Sequence, residues 1–311
     1  MRLRASSLLC CSVALLGGQT APSFRSEVSL VHIDAEVIDG ARVLDGFTQG
    51  DFRVLDNKSP QTITHFGQSE APLDVILLFD ISGSMSPNVE KISASADLAF
   101  SALKPGDRVA LMVFNTRARV LAPFTSDLAL AARAIHDKVL SLKFGGGTFI
   151  VSAIDAAALY FRGEKPAGRR RAIVVITDNY GTRTRREHPV IVDAWESDAT
   201  VCGVIVRSAV SAALNTGAMV TNPLVLALHA GVGHIAQATG GDVIKSQTDP
   251  GAAFREMIER LRRRYEIYYP MPQAKPGQER KVEVRLASAA RARYPHASVL
   301  ARRGYVIPPA Q

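Results

Sequence analysis

Between Asp74 and about Val206 the sequence alternates short runs dense in Val and Ile with longer amphipathic stretches, and this alternation limits the fold more than any other feature. Runs that are apolar at nearly every position have no solvent face. They predict parallel strands covered on both sides, with helices as the crossovers. The runs place strands at Asp74–Asp80, Arg108–Asn115, Val120–Phe124, Arg171–Asp178 and Thr200–Val206. Only Asn115 to Val120 leaves no room for a helix, so that pair is expected to be an antiparallel hairpin at one sheet edge. The fold class that follows is α/β, a Rossmann-like, doubly wound, mostly parallel sheet with one antiparallel edge strand. Pro87 opens a helix running to about Leu103, where Lys104-Pro105-Gly106-Asp107 stops it, and Ser126-Asp127 caps another to about Leu142.

Past Val206 a stretch of small residues, Ser208 to Asn222, leads to a helix ending at Thr239-Gly240-Gly241. A strand at Asp242–Lys245 and a helix from Pro250 to about Arg263 follow. The flanks change period. Val28 to Asp39 alternates, with Val28, Leu30, His32 and Asp34 on the outward side, and Asp51–Asn57 and Gln61–Phe66 read as further strands. Tyr265–Tyr269, Lys281–Leu286 and Gly304–Val306 do the same after the core. Three strands on either side are few for an independent unit, so the flanks are expected to pair into one small β-rich domain into which the α/β core is inserted. The expected division is a signal peptide over 1–21, an N-terminal β flank over 22–71, the α/β domain over 72–264 and a C-terminal β flank over 265–311.

The signal-peptide reading rests on Met1-Arg2-Leu3-Arg4 followed by Ala5 to Gly18, a basic start before an uncharged, Leu-, Val- and Ala-rich run. That run is short of the ~20 residues that span a bilayer, and no second uncharged stretch of its length follows. Secretion or periplasmic retention is the expectation. Cys10 and Cys11 would leave with the signal, so Cys202 remains alone, no intrachain disulfide can form, and its apolar surroundings mark it as a small buried hydrophobe. The formal charge is +8, and losing Arg2 and Arg4 leaves 35 basic against 29 acidic side chains, +6. With few aromatics and no basic stripe interleaved with them, nucleic acid is not an expected partner.

Chemistry concentrates at Asp80-Ile81-Ser82-Gly83-Ser84, which begins where an apolar strand ends and so lies at the carboxyl edge of the sheet, where open α/β folds bind ligands. A carboxylate and two hydroxyls at alternate positions of a tight turn can converge on a hard, oxygen-seeking cation, and few carboxylates with short hydroxyls suit magnesium better than calcium. Gly145-Gly146-Gly147-Thr148 precedes a helix and Thr177-Asp178-Asn179 closes the next strand, so both loops should reach the same edge.

Taken together these loops resemble the metal-ion-dependent adhesion site of von Willebrand factor type A domains, with Asp80, Ser82, Ser84, Thr148 and Asp178 in its five positions. The resemblance implies that Ser82, Ser84 and Thr148 reach the metal directly, that Asp80 and Asp178 act largely through waters, and that an acidic side chain of a protein ligand completes the octahedron. The implied cofactor is Mg2+, with Mn2+ as the alternative, and the implied partner is a protein with an exposed Asp or Glu. Asn179 stands where the family commonly has glycine. Phe52 to Phe66 and the tail from Thr239-Gly240-Gly241 to Arg302-Arg303-Gly304-Tyr305 extend the resemblance to secreted A-domain proteins abundant in acidobacteria, over about residues 28 to 307. The function implied is an extracytoplasmic, adhesion-type protein-binding module and not an enzyme. The alternative is a structural or regulatory subunit of an envelope complex in which the metal only stiffens loops.

An aspartyl phosphotransferase with Asp80 as nucleophile is the enzymatic rival, but such enzymes want a second aspartate where Ser82 stands. His136, His188 and His234 are scattered and read as surface or helix residues, not general bases. Gly231-x-Gly233-x-x-Ala236 matches a dinucleotide fingerprint but falls inside an expected helix, where small residues serve packing. Of the basic clusters Arg169–Arg171, Arg183–Arg186 and Arg262–Arg264, solvated charge is expected throughout. Arg183, Arg185 and Arg186 follow the aspartate loop closely enough to rim the metal face and steer an acidic partner.

Overall fold

The structure, a computed structural model, describes residues 29–68, 71–164, 168–208 and 229–309. The expected signal peptide, with Cys10 and Cys11, and the stretch after Ser208 lie outside them. In chain order the elements are β1 (Leu30–Asp39), β2 (Arg42–Leu44), β3 (Phe52–Asp56), β4 (Ser59–Gln61), β5 (His65–Gln68), β6 (Leu73–Asp80), α1 (Ser86–Ala94), α2 (Ala96–Phe100), β7 (Arg108–Phe114), β8 (Ala118–Thr125), α3 (Leu128–Ala134), α4 (Ile150–Gly163), β9 (Arg170–Thr177), β10 (Gly181–Thr182), α5 (Glu187–Glu196), β11 (Ala199–Val206), β12 (His229–Ala230), α6 (Gly233–Thr239), β13 (Val243–Ser246), α7 (Pro250–Arg262), β14 (Tyr265–Pro270), β15 (Glu279–Leu286), α8 (Ser288–Arg293), β16 (Ser298–Ala301) and β17 (Gly304–Val306).

The apolar runs form a six-stranded sheet of order β13-β11-β9-β6-β7-β8. All its pairs are parallel except β7 with β8, the hairpin at one edge. Every residue of β6 and of β9 is buried. In β6, Val75, Leu77 and Phe79 pack into the layer of α1, α2, α3 and α7, while Ile76 and Leu78 pack into the layer of α4, α5 and α6. That two-sided burial is why these runs carry no polar alternation.

The helix expected over Pro87 to Leu103 is two helices, broken at Ser95. α7 packs against the break: a Cβ on Gly251, in the first turn of α7, would sit 2.1 Å from Ser95 Oγ. The Asp127 cap is formed, its carboxylate accepting from Leu130 N at 2.8 Å.

Strands of both flanks pair with each other. β1 runs antiparallel to β14 and β16, and β14 to β5. β15 pairs with β3 and β17 in a second sheet, and one apolar core lies between the two. The strand expected over Gln61–Phe66 divides: β4 turns back on β3 through Asn57 and Lys58, both left-handed (φ 46° and 69°), whereas β5 joins the other sheet. Ile63, buried between them, marks the crossing.

The outward side of β1 is not solvent-facing along its length. Asp34 and Glu36 are buried against the α/β unit, and there two of the basic clusters depart from the solvated charge expected of them. Arg170, Arg171, Arg262 and Arg264 are each 5% exposed or less. Arg170 Nε donates to Asp34 Oδ1 at 2.8 Å and its Nη2 to Leu261 O at 2.8 Å. Arg260 grips Glu36 with two bonds of 2.9 and 3.0 Å, and Arg264 Nη1 lies 3.7 Å from Glu36. Charge that reads as solvated in a linear pattern is here the mortar between two packed units: Asp34 and Glu36 neutralise Arg170 and Arg260, while Arg171 donates to the carbonyls of Ser197 and Glu164.

Candidate metal centre

Parallel strands end at a common edge, and β6 and β9 are neighbours in register, Phe79 opposite Ile176. Asp80 and Asp178, the last residue of one strand and the first after the other, therefore stand side by side. Asp80 is fully buried. Its Oδ1 accepts from Ser82 N at 2.8 Å, closing the turn, and its Oδ2 accepts from Thr177 Oγ1 at 2.7 Å. Burial pushes its pKa up to about 6; the hydrogen bonds from Thr177 and Ser82 oppose that rise, and the charge of Asp178 adds to it.

Ser82 Oγ and Ser84 Oγ lie 3.4 Å apart, and Ser84 Oγ donates to Asp178 Oδ2 at 2.7 Å. The aspartate loop is thus tied to the Asp80 loop through two hydroxyls, those of Thr177 and Ser84. Ser208 Oγ, from just past β11, donates to the same Oδ2 at 2.6 Å, and Tyr180 N reaches Oδ1 at 3.3 Å. Thr148 is buried on the third loop. Gly145 N donates to Ile81 O at 2.8 Å and Thr182 N to Thr148 O at 2.9 Å, so the Gly145–Thr148 loop is clamped between the other two. Its hydroxyl takes no part in the hydrogen bonds that join Asp80, Ser82, Ser84 and Asp178.

Three of these contacts escape sequence reasoning. Thr177 holds Asp80, Ser208 holds Asp178, and Asn115 Nδ2 donates to Gly145 O at 3.1 Å. Thr177 has a weak sequence signal, a lone hydroxyl closing an otherwise apolar strand. Ser208 has none. Asn179 has φ 64°, the left-handed region that glycine adopts freely and asparagine tolerates. The loop geometry therefore survives the exchange. The asparagine adds a bond of its own, its Oδ1 accepting from Val232 N at 2.9 Å, over a Gly231 whose added Cβ would lie 2.7 Å from the amide.

That contact corrects the reading of Gly231-x-Gly233-x-x-Ala236. The segment is a loop followed by the start of α6 at Gly233, not a helix interior. A Cβ at 231 would push on the Asn179 side chain lying over it. Cys202 is buried and its thiol pushed up to about 11 by burial. His136 is exposed, while His188 and His234 lie 3.3 and 2.6 Å from Glu279 and Glu187 on the surface. Arg185 pairs with Asp155 on α4 and Arg183 Nη2 lies 4.0 Å from Glu187 on α5. Each oxygen of Asp80 accepts a hydrogen bond inside the protein, Oδ1 from Ser82 N and Oδ2 from Thr177 Oγ1.

The donor set fits a hard divalent cation. Among the described residues no three His, Cys, Asp or Glu side chains gather as ligands, and the cluster is instead hydroxyl-rich, with two carboxylates whose hydrogen bonds come from hydroxyls and backbone amides. Oxygen-only donors with two negative charges suit magnesium or manganese.

The family model of the von Willebrand factor type A domain matches residues 75–181, which include all five positions. No curated protein matches the chain. Among solved structures, the conserved hypothetical protein BatB from Bacteroides thetaiotaomicron is 21% identical, covering 61% of this chain and 98% of that one with a TM-score of 0.45. A von Willebrand factor type A protein from Catenulispora acidiphila is 16% identical over 92% of this chain and 76% of its own, TM-score 0.46. The manganese-loaded TRAP protein of Plasmodium vivax is 12% identical over 73% and 97%, TM-score 0.44. Residues 75–181 of this chain are a von Willebrand factor type A domain.

Proposed function

We propose that the chain is an extracytoplasmic protein-binding module whose partner docks an exposed Asp or Glu onto a divalent cation, magnesium or manganese. Ser82, Ser84 and Thr148 would hold the ion, with Asp80 and Asp178 behind them. The observation that carries this reading is the hydrogen-bonded convergence of Asp80, Ser82, Ser84 and Asp178 at the carboxyl edge of the sheet. A bound ion would supply positive charge that two carboxylates do not cancel beyond neutrality, together with a position for an incoming carboxylate. Asp80 and Asp178 would fix the hydroxyls in place.

The division into a signal peptide (1–21), β flanks (22–71 and 265–311) and an α/β domain (72–264) belongs to the same proposal. The extracytoplasmic placement rests on the N-terminal sequence. Among the described residues no helix is long and apolar enough to cross a membrane. The test is partner capture from an envelope extract. Capture should occur in millimolar magnesium and be lost in chelator, in Asp80→Ala and in Ser82→Ala. Capture that persists in chelator and in both variants would overturn the reading in favour of a docking subunit whose metal is incidental.

A further inference from the structure

We propose that Ser208 is a positioning residue of the metal site, acting through Asp178; the proposal rests on the cation-binding reading above. Asp178 Oδ2 accepts two hydroxyl hydrogens, from Ser84 at 2.7 Å and from Ser208 at 2.6 Å. Both partners of the second bond are buried, Asp178 to 3% exposure and Ser208 to 5%. A charged hydrogen bond in such surroundings is short, strong and directional. Ser84 belongs to the Asp-x-Ser-x-Ser turn and would be drawn on by a cation. Ser208 lies just past the end of a different strand, β11, and supplies a donor independent of that turn. It fixes the carboxylate's rotamer whatever Ser84 does.

The surrounding geometry gives this bond a further role. The chain leaves the aspartate loop at Ser208 and returns to it at Ala230, which pairs with Gly181, and at Val232, whose N–H donates to Asn179. Both ends of the connection between β11 and α6 are therefore anchored within the same four residues, 178 to 181. Asp178 is the only one of these anchors that also faces Ser84, so Ser208 is the link between β11 and the cation-binding turn.

The experiment is calorimetric titration of the full chain with Mn2+ alone, on the parent, Ser208→Ala, Ser208→Thr and Ser208→Val, with unfolding of each in chelator. Loss of an outer hydrogen bond to a metal-site carboxylate weakens metal binding by 10-fold or more. Ser208→Ala and Ser208→Val should therefore bind Mn2+ about 10-fold more weakly, and Ser208→Thr should match the parent. Thr and Val have the same shape, so the pair isolates the hydroxyl even if Ser208→Ala folds poorly. Equal Mn2+ affinity in the Thr and Val variants overturns the proposal while leaving the cation-binding reading intact. A parent chain that takes up no Mn2+ overturns both.

Discussion

The two edges of the central sheet handle buried carboxylates in opposite ways. At the amino edge, where β6 and β9 begin beside the β flanks, Asp34, Glu36 and Asp74 each face arginine: Arg170 on Asp34, Arg260 on Glu36, Arg108 and Arg169 on Asp74. At the carboxyl edge Asp80 and Asp178 are just as deeply buried, yet the hydrogen bonds they receive among the described residues come from hydroxyls and backbone amides. A buried carboxylate matched by a guanidinium is spent as structure. One matched by hydroxyls and backbone amides keeps its charge available to a cation, and at Asp80 burial raises the carboxyl pKa. The contrast teaches that burial alone does not mark a functional carboxylate; the kind of partner does.

Breaking the amino edge should cost the most. Arg170→Ala takes from buried Asp34 its hydrogen-bonded cation and leaves it only the more distant His32, 3.6 Å away, and the expected loss is about 3 kcal/mol in urea unfolding. The Mn2+ affinity of the folded fraction should not change, because the edges are independent. A joint change in both would erase the distinction between them.

The same edge should show in the pH dependence. Burial opposes protonation of His32, but Asp198, 2.9 Å from Nδ1, and Asp34, 3.6 Å from Nε2, outweigh it and raise the pKa to about 10. The folded protein then holds this proton more tightly than the unfolded chain. Its contribution is complete below pH ~6.5 and is lost as pH rises through about 10. The parent should lose roughly 3 kcal/mol more than His32→Gln between pH 7 and pH 10, read as the difference between their unfolding free energies. Parallel pH profiles would show that the His32 contacts carry no net stability.

The carboxyl edge should respond more weakly. Asp80→Ala orphans Thr177 Oγ1 and Ser82 N but also removes a poorly solvated carboxyl, so its cost should stay below about 2 kcal/mol. Its signature is instead the disappearance of any rise in melting temperature on adding magnesium. Asn179→Gly should be the mildest, under about 1 kcal/mol, since it loses one bond to Val232 N without introducing strain at φ 64°. A larger loss would mean that the Asn179 side chain, and not the backbone conformation, holds the loop.

How much of this was legible in the sequence follows from what kind of signal each feature leaves. The central strands β6, β7, β9 and β11 were readable to within a residue or two because two-sided burial writes itself as an unbroken apolar run. The hairpin of β7 and β8 was readable because a short connection forbids a helix. The single strand expected over Gln61–Phe66 was not, since a change of sheet at Ile63 leaves the alternation intact while altering the partner. Nor was the break at Ser95, against which Gly251 packs from a helix more than a hundred residues later. The buried arginines were read as solvent-facing because charge carries no mark of its neighbours.

The sequence by itself determined the α/β class and the arrival of the Asp80, Thr148 and Asp178 loops at one edge. Both follow from local periodicity and from the rule that parallel strands end together. Only the tertiary structure decided which carboxylates are neutralised and which are left to hydroxyls. Arg170 meets Asp34 across 136 residues and Thr177 meets Asp80 across 97, while Ser208 meets Asp178 across 30. Such choices are made by contacts distant in sequence, and no local pattern encodes the partner.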